Sequence, residues 1–203
     1  MAFALLRASA RTDHVSRHLA LAHAIDESAS ELFEECGLHV DFDASHPFAR
    51  AEDARFRASL EAGNLWFALP DEGAPVEAAL GFIALGCVDA QPFVYQLSVR
   101  REAMRRGVGR TLLEAALTTA RRLHAGSSQP ATVAVTQPAS VYGLWLTTWA
   151  HLPWNQAYYE RFGFRVIGDQ HYGRELRDLI EEEQRWLPAP EQRRVMCCPM
   201  ERA

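Results

Sequence analysis

"LSVRREAMRRGVGRTLLEAAL" (residues 97–117) joins a β-prone run to an apolar helical run across two glycines and a knot of arginines. Upstream, "FVYQLSV" (93–99) alternates, with Phe93, Tyr95, Leu97 and Val99 on one face and Gln96 and Ser98 on the other, the period of a strand. Downstream, Val108, Leu112, Ala115, Ala116, Ala120 and Leu123 form one helical stripe that ends at Gly126. A helix starting near Gly107 points its first N–H groups outward with the positive end of its dipole. Glycine permits close approach to that backbone, and Arg105, Arg106 and Arg110 add forked cationic donors. Such a segment fits an anion site, and it equally fits a strand-to-helix turn with solvated arginines. It is not a P-loop, because no lysine follows the glycines. Nor is it a dinucleotide fingerprint, because the third glycine position is Leu112.

The rest of the chain surrounds this junction with mixed elements. "FALLRAS" (3–9) reads as a short strand. Val15, Leu19, Ala22, Ile25, Ala29, Leu32, Phe33 and Cys36 recur at helical spacing before Gly37. "HVDFDASHPF" (39–48) reads as a loop and residues 49–63 as a second helix. "LWFAL" (65–69), "VEAALGFIALGCV" (76–88) and 93–99 predict three successive antiparallel strands, with "AQP" (90–92) breaking the chain between the last two. Residues 127–140 read as a turn-rich insertion with a short β-prone centre, a candidate lid or interface loop. "VYGLWLTTW" (141–149) predicts a buried strand. Asn155 is placed to cap a short helix ending at Gly163. A strand at 164–168, a helix at 175–187 and a final strand at 193–200 complete an α+β, mixed α/β pattern in one domain. That last strand is a candidate edge through which a homodimer could pair.

Composition narrows the function classes. The 203 residues carry a formal net charge of −5, which argues against a broad nucleic-acid or anionic-membrane surface. No run approaches the ~20 apolar residues of a membrane span. "LALAHA" (19–24) ends in a cleavage-like triplet, but Arg7, Arg11, Asp13 and Arg17 interrupt any hydrophobic signal region. The four cysteines (Cys36, Cys87, Cys197, Cys198) have no metal-site spacing, so no metal is expected and a reducing cytoplasmic setting is.

Two segments together point further. Residues 97–117 resemble the acetyl-CoA signature of the GNAT superfamily of N-acyltransferases: a strand ending in a valine-containing turn, then Arg/Gln-x-x-Gly-x-Gly/Ala, then a helix. "WNQAYYERFGFRVIG" (154–168) resembles that superfamily's second signature, Asn, then Ala, then Tyr-Glu-x-x-Gly-Phe. They stand in the family's order, and the resemblance covers about residues 65–168. It implies a central, mostly antiparallel twisted sheet flanked by helices, with acetyl-CoA at a splayed strand pair. The segment "LTTWAHLPWNQAYYE" (146–160) is also similar to a subgroup of the family to which no substrate is attached.

The resemblance assigns roles residue by residue. The pyrophosphate loop falls on Met104, Arg105, Arg106, Gly107, Val108, Gly109 and Arg110. The pantetheine arm falls on the backbone of Leu97, Ser98 and Val99, where a backbone N–H would stabilise the oxyanion. Asn155 and Tyr159 fall on the second signature, and Tyr159 takes the general-acid role towards the departing thiolate. The reaction implied is transfer of an acetyl group from acetyl-CoA to a primary amine of a small molecule or protein.

Three positions depart from the pattern. Met104 stands where Arg or Gln is usual, Arg105 where glycine is common, and Gln96 where many members carry a basic glutamate. An amide cannot accept the proton at neutral pH, so Gln96 could hold a relaying water. His151 is another candidate base, and solvent could also remove the proton. A non-catalytic acyl-CoA sensor is the alternative that Gln96 raises. Asp41 and Asp43 would suit a cationic amine, or belong to a solvated polar loop. Tyr142, Trp145, Trp149 and Trp154 could line an acceptor pocket or simply pack in the core.

Overall fold

The computed structural model describes residues 3–126 and 141–200. In chain order its elements are β1 (Ala4–Arg7), α1 (Thr12–Glu34), α2 (Pro47–Glu61), β2 (Leu65–Leu69), β3 (Gly81–Val88), β4 (Gln91–Val99), α3 (Val108–Gly126), β5 (Gly143–Trp149), α4 (Gln156–Glu160), β6 (Arg165–Val166), α5 (Arg174–Trp186) and β7 (Arg193–Pro199). This is the mixed α/β fold expected, a seven-stranded sheet with strand order β1-β2-β3-β4-β5-β7-β6, flanked by helices. The 127–140 insertion lies outside the described residues. No described helix is long and apolar enough to cross a membrane.

The chain forms two compact units. The first holds the described residues up to Gly86 together with Val94–Ala116; the second holds Cys87–Phe93 and the described residues from Leu117 onward. In the first, β1 pairs antiparallel with β2 (Ala4↔Leu69 to Arg7↔Trp66), and β2 with β3 (Leu65↔Ala84 to Ala68↔Gly81). The α1 stripe read from sequence docks through Leu19, Ala22 and Ile25, which bury with Phe56 and Leu60 of α2 and with Leu65, Phe67 and Phe82 of the strands; its last member, Cys36, lies beyond α1 and is exposed. Gly81 is one point of close approach between strands. A Cβ there would lie 2.7 Å from the Ser98 carbonyl and 3.1 Å from Val108 Cγ1, so only glycine lets β3 run flush against the end of β4.

The β3–β4 hairpin corrects one boundary. Its turn is Asp89-Ala90, both at positive φ (51° and 59°), as in the two-residue mirror-image turns that match strand twist. The chain is therefore already extended at Gln91, and Pro92 belongs to β4 instead of breaking it.

In the second unit, β5 pairs with β7 over seven antiparallel positions, Gly143↔Pro199 to Trp149↔Arg193. β7 also pairs with β6, Arg165↔Cys197 and Val166↔Met196. The expectation that β7 is an open edge is thus wrong: both its sides are engaged, and the outer strands are β1 and β6. The strand read at 164–168 is β6, two residues long, and its pairing with β7 is what the sequence did not show. β4 and β5 run parallel, with Phe93↔Trp145 in register.

The hairpin turn has a second duty. Asp89 Oδ1 and Oδ2 accept from the N–H groups of Glu175 and Leu176 at 3.0 and 3.2 Å, and Asp89 N–H donates to Glu175 Oε2 at 2.6 Å. This is a capping box assembled from distant sequence, and it satisfies the first turn of α5. Asp89→Ala should cost about 1 kcal/mol and lower the Tm by roughly 2–4 °C, measured by thermal denaturation. An unchanged Tm would mean that water caps α5 equally well.

Candidate functional site

The junction that opened the sequence reading is built by backbone torsion. After a 3-10 turn at Arg101–Ala103, Met104 is extended (φ −61°, ψ 156°). Arg105 then takes φ 59° and Gly107 φ 94°, while Arg106 is not in the positive region. The alternation in φ turns successive N–H groups towards a common side, the geometry of anion-binding concavities. Gly107 O accepts from Thr111 N–H at 3.1 Å, so α3 is under way and the N–H groups of its first residues have no intrahelical acceptor. Val108 is buried and anchors the turn, with Leu112, Leu113 and Ala116 behind it. Gly109 sits inside α3 without a positive φ. Conformation therefore demands glycine at 107 and not at 109.

The arginines divide into tethered and unengaged. Arg100 Nε donates to Ala79 O at 2.8 Å, and Arg101 grips the Glu35 carboxylate with bonds of 2.9 and 3.0 Å. Arg110 donates to Glu114 at 2.8 Å. Arg105 and Arg106 are exposed and make no hydrogen bond or ion pair among the described residues. Two cations are thereby left beside the outward N–H groups. Arg105 explains why glycine is usual at its position: an L-residue there sits in the left-handed region.

Near the end of β4 the polar side chains turn towards α1. Ser98 is 3 % exposed, while Leu97 and Val99 are half-buried. The polar side chains meet there a carboxylate that the sequence reading missed. Asp26 of α1 accepts at Oδ1 from Gln96 Nε2 at 2.6 Å and from Ser98 Oγ at 2.5 Å; Gln96 Nε2 also reaches Ser98 Oγ at 3.0 Å. Burial pushes the Asp26 carboxyl above the usual range, against the lowering effects of Ser98, Gln96 and nearby His23. The signal was available: Asp26 falls between Ala22 and Ala29 on the apolar stripe of α1, where an acid is out of place.

Other sequence candidates resolve into structural roles. Asp43 Oδ1 accepts from Ser45 N and Oγ at 2.7 and 2.5 Å, which holds its carboxyl below the usual range. His46 Nδ1 accepts from Phe48 N at 3.2 Å and caps α2, stacked on Phe42 with centroids 4.2 Å apart. The 39–48 loop is thus a turn and a helix cap. Among the described residues no group of three His, Cys, Asp or Glu is placed to hold a metal ion.

The second unit carries the second signature. Asn155 stands at the N-cap position of α4, but its side chain makes no capping bond there. Its φ of −93° and ψ of −80° depart from the extended backbone that capping requires. Tyr159 packs with its ring centroid 5.4 Å from Tyr158 and 5.7 Å from Phe164. Burial pushes its phenol up to about 12, with Arg193 pulling the other way. Arg193 is itself fixed by a buried fork to Glu183 (2.7 and 3.1 Å), a bond to Thr147 Oγ1 (2.6 Å) and the face of Trp149 (4.4 Å). Trp145 is core, donating to Val141 O at 3.1 Å. Trp154 differs, because its buried Nε1 has no hydrogen-bond partner among the described residues. His151 is exposed on the turn after β5.

Comparison with known proteins bears on this geometry. A family model described as "Acetyltransferase (GNAT) domain" matches residues 61–166, more than half of the chain. The fold is similar to the ribosomal-protein-S18-alanine N-acetyltransferase from Escherichia coli, at 16% identity and TM-score 0.54, covering 100% of this chain and 96% of that one. It is similar to PaiA N-acetyltransferase from Thermoplasma acidophilum in complex with coenzyme A, at 12% identity and TM-score 0.54, covering 98% and 100%. It is also similar to N-acetylglutamate synthase from Neisseria gonorrhoeae complexed with coenzyme A and N-acetyl-glutamate, at 14% identity and TM-score 0.55. There the match takes in all of this chain but only 36% of the other.

The backbone of the turn makes its own prediction. Arg105→Gly should raise folding stability by roughly 1 kcal/mol, since it releases an L-residue from the left-handed region, and Gly107→Ala should lower it by about as much. Urea denaturation reads both. A loss of stability in Arg105→Gly would show that the arginine holds the turn through contacts of its own.

Proposed function

The chain belongs to the GNAT acetyltransferase family, and from that premise we propose that it moves an acetyl group from acetyl-CoA to a primary amine of a small molecule or protein. The observation that carries the reading is the 104–107 turn, which presents unpaired N–H groups at the start of α3 beside two unengaged arginines. In this reading residues 1–203 work as one N-acetyltransferase domain, in a reducing cytoplasmic setting that suits four free thiols, with neither nucleic acid nor membrane as partner.

The roles follow from the chemistry. Backbone N–H groups from Arg105 to Arg110 hold the pyrophosphate, aided by the Arg105 and Arg106 side chains, and Met104, whose N–H donates to Arg101 O, leads into the loop; binding by backbone explains why a methionine is tolerated there. Val99, Ser98 and Leu97 hold the pantetheine arm as an added strand would be held. One of their N–H groups takes the developing oxyanion, in the place where a fixed dipole counts most. Asn155, with its side chain free of a capping bond, is assigned to the coenzyme.

Tyr159 is assigned as the acid that protonates the departing thiolate. A phenol held at about 12 stays protonated throughout the working range. The match to a thiolate does not fail, because dry surroundings raise a thiol too: burial pushes Cys197 in the same unit to about 12. A thiolate expelled into such surroundings is a stronger base than one in water.

Mixing the protein with acetyl-CoA and a panel of amines should release free thiol. Tyr159→Phe should lower kcat by about 10²-fold or more with coenzyme affinity unchanged, read by calorimetry. Turnover should show no alkaline loss from ionisation of Tyr159 up to pH ~10, since an acid with a raised pKa keeps its proton until the pH nears that value. Coenzyme-dependent thermal stabilisation without thiol release from any amine would favour the sensor, the alternative that Gln96 raises.

A further inference from the structure

We propose that Asp26 of α1 is the general base of the transfer, the carboxylate that β4 lacks at Gln96. The proposal rests on the acetyltransferase reading and supplies the group that reading leaves open. Its ground is a side-chain arrangement within one compact unit. Gln96 and Ser98 both donate to Asp26 Oδ1, and they flank Leu97, in the stretch assigned to hold the reacting carbonyl. Asp26 Oδ2 accepts no hydrogen bond among the described residues, so one oxygen is anchored and the other is left to take a proton.

The choice of residue is informative. If the task were only to satisfy Gln96 Nε2 and Ser98 Oγ, an asparagine oxygen would accept both bonds and no charge would be desolvated. A carboxylate at this spot costs stability, and a cost of this kind is retained where chemistry needs it. The groups facing it are neutral on β4 (Gln96, Ser98) and titratable on its own helix, where His23 lies one turn earlier. His23 is in turn bonded to Asp53 of α2 at 3.1 Å. With burial dominant, the carboxyl moves towards the working pH, which strengthens it as a base.

The step balances as follows. The amine nitrogen attacks the thioester carbonyl and the C–N bond forms. One N–H proton passes to Asp26 Oδ2. The C–S bond breaks, and the thiolate leaves with the proton of the acid. Asp26 then gives its proton to solvent, and the acid regains one, so that amide and free thiol are the only net products.

Asp26→Asn decides the matter, together with Gln96→Glu placed in the Asp26→Asn background. A carboxyl whose folded pKa lies above its unfolded value weakens the fold increasingly as pH rises past the unfolded value. Asp26→Asn should therefore be as stable as the parent, or more so, at pH 8. Its kcat with a reactive amine should fall by ~10²-fold or more, and the acidic limb of the kcat–pH profile should disappear. Gln96→Glu in that background should return a carboxylate to the same bonded cluster and recover roughly tenfold of the loss. Undiminished kcat and an unaltered profile in Asp26→Asn would overturn the proposal while leaving acyl transfer intact. So would a joint loss of Tm and turnover that Gln96→Glu fails to rescue, because that is the mark of a merely structural acid. Absence of thiol release by the parent protein with every amine would instead bring down the acetyltransferase reading, and this proposal with it.

Discussion

The proposed coenzyme site depends on one backbone constraint: between Met104 and Val108 the main chain must turn to positive φ twice before a helix can start. Arg105 and Gly107 carry the positive values. With them in place, the first N–H groups of α3 point outward unpaired, and Val108 tucks into the core to fix the direction. Without them, the strand-to-helix junction would be an ordinary solvated turn. Gly81 protects the same junction from behind, since it lets β3 lie against the Ser98 carbonyl and Val108 at once.

The sequence disclosed this junction because its signals are local. Two glycines, an alternating strand and a 3.6-residue stripe can each be read within a single element. The family resemblance required only two short signatures in order. What remained hidden depends on partners far apart in the chain. The Asp89–Glu175 capping box spans 86 positions, and its turn takes Asp-Ala where glycine is the usual signal. The engagement of β7 on both sides hangs on β6, which is two residues long. Asn155 had the right identity for a cap, but its backbone torsions deny it the role.

The polar side of β4 is the instructive case. Alternation at 93–99 separated the two faces correctly, yet alternation alone does not say which face is buried. Asp26 on the apolar side of α1 meets Gln96 and Ser98, so the polar side chains of the strand face that helix. An acid on an otherwise apolar stripe is a signal worth reading beside the strand that will cover it, since a buried charge needs donors and those donors have to be provided. Gln96 and Asp26 are thus a hydrogen-bonded pair across strand and helix.

The account turns on whether the acetyl group reaches nitrogen. Acetyl-CoA carrying a carbon-13 label in the acetyl carbonyl, incubated with the protein and a reactive primary amine, allows one spectrum to follow thioester, amide and acetate together. The account predicts that the label appears as amide in step with free thiol, at a rate that depends on protein concentration. Label that stays in the thioester while coenzyme binding stabilises the fold, or that emerges only as acetate, would contradict it.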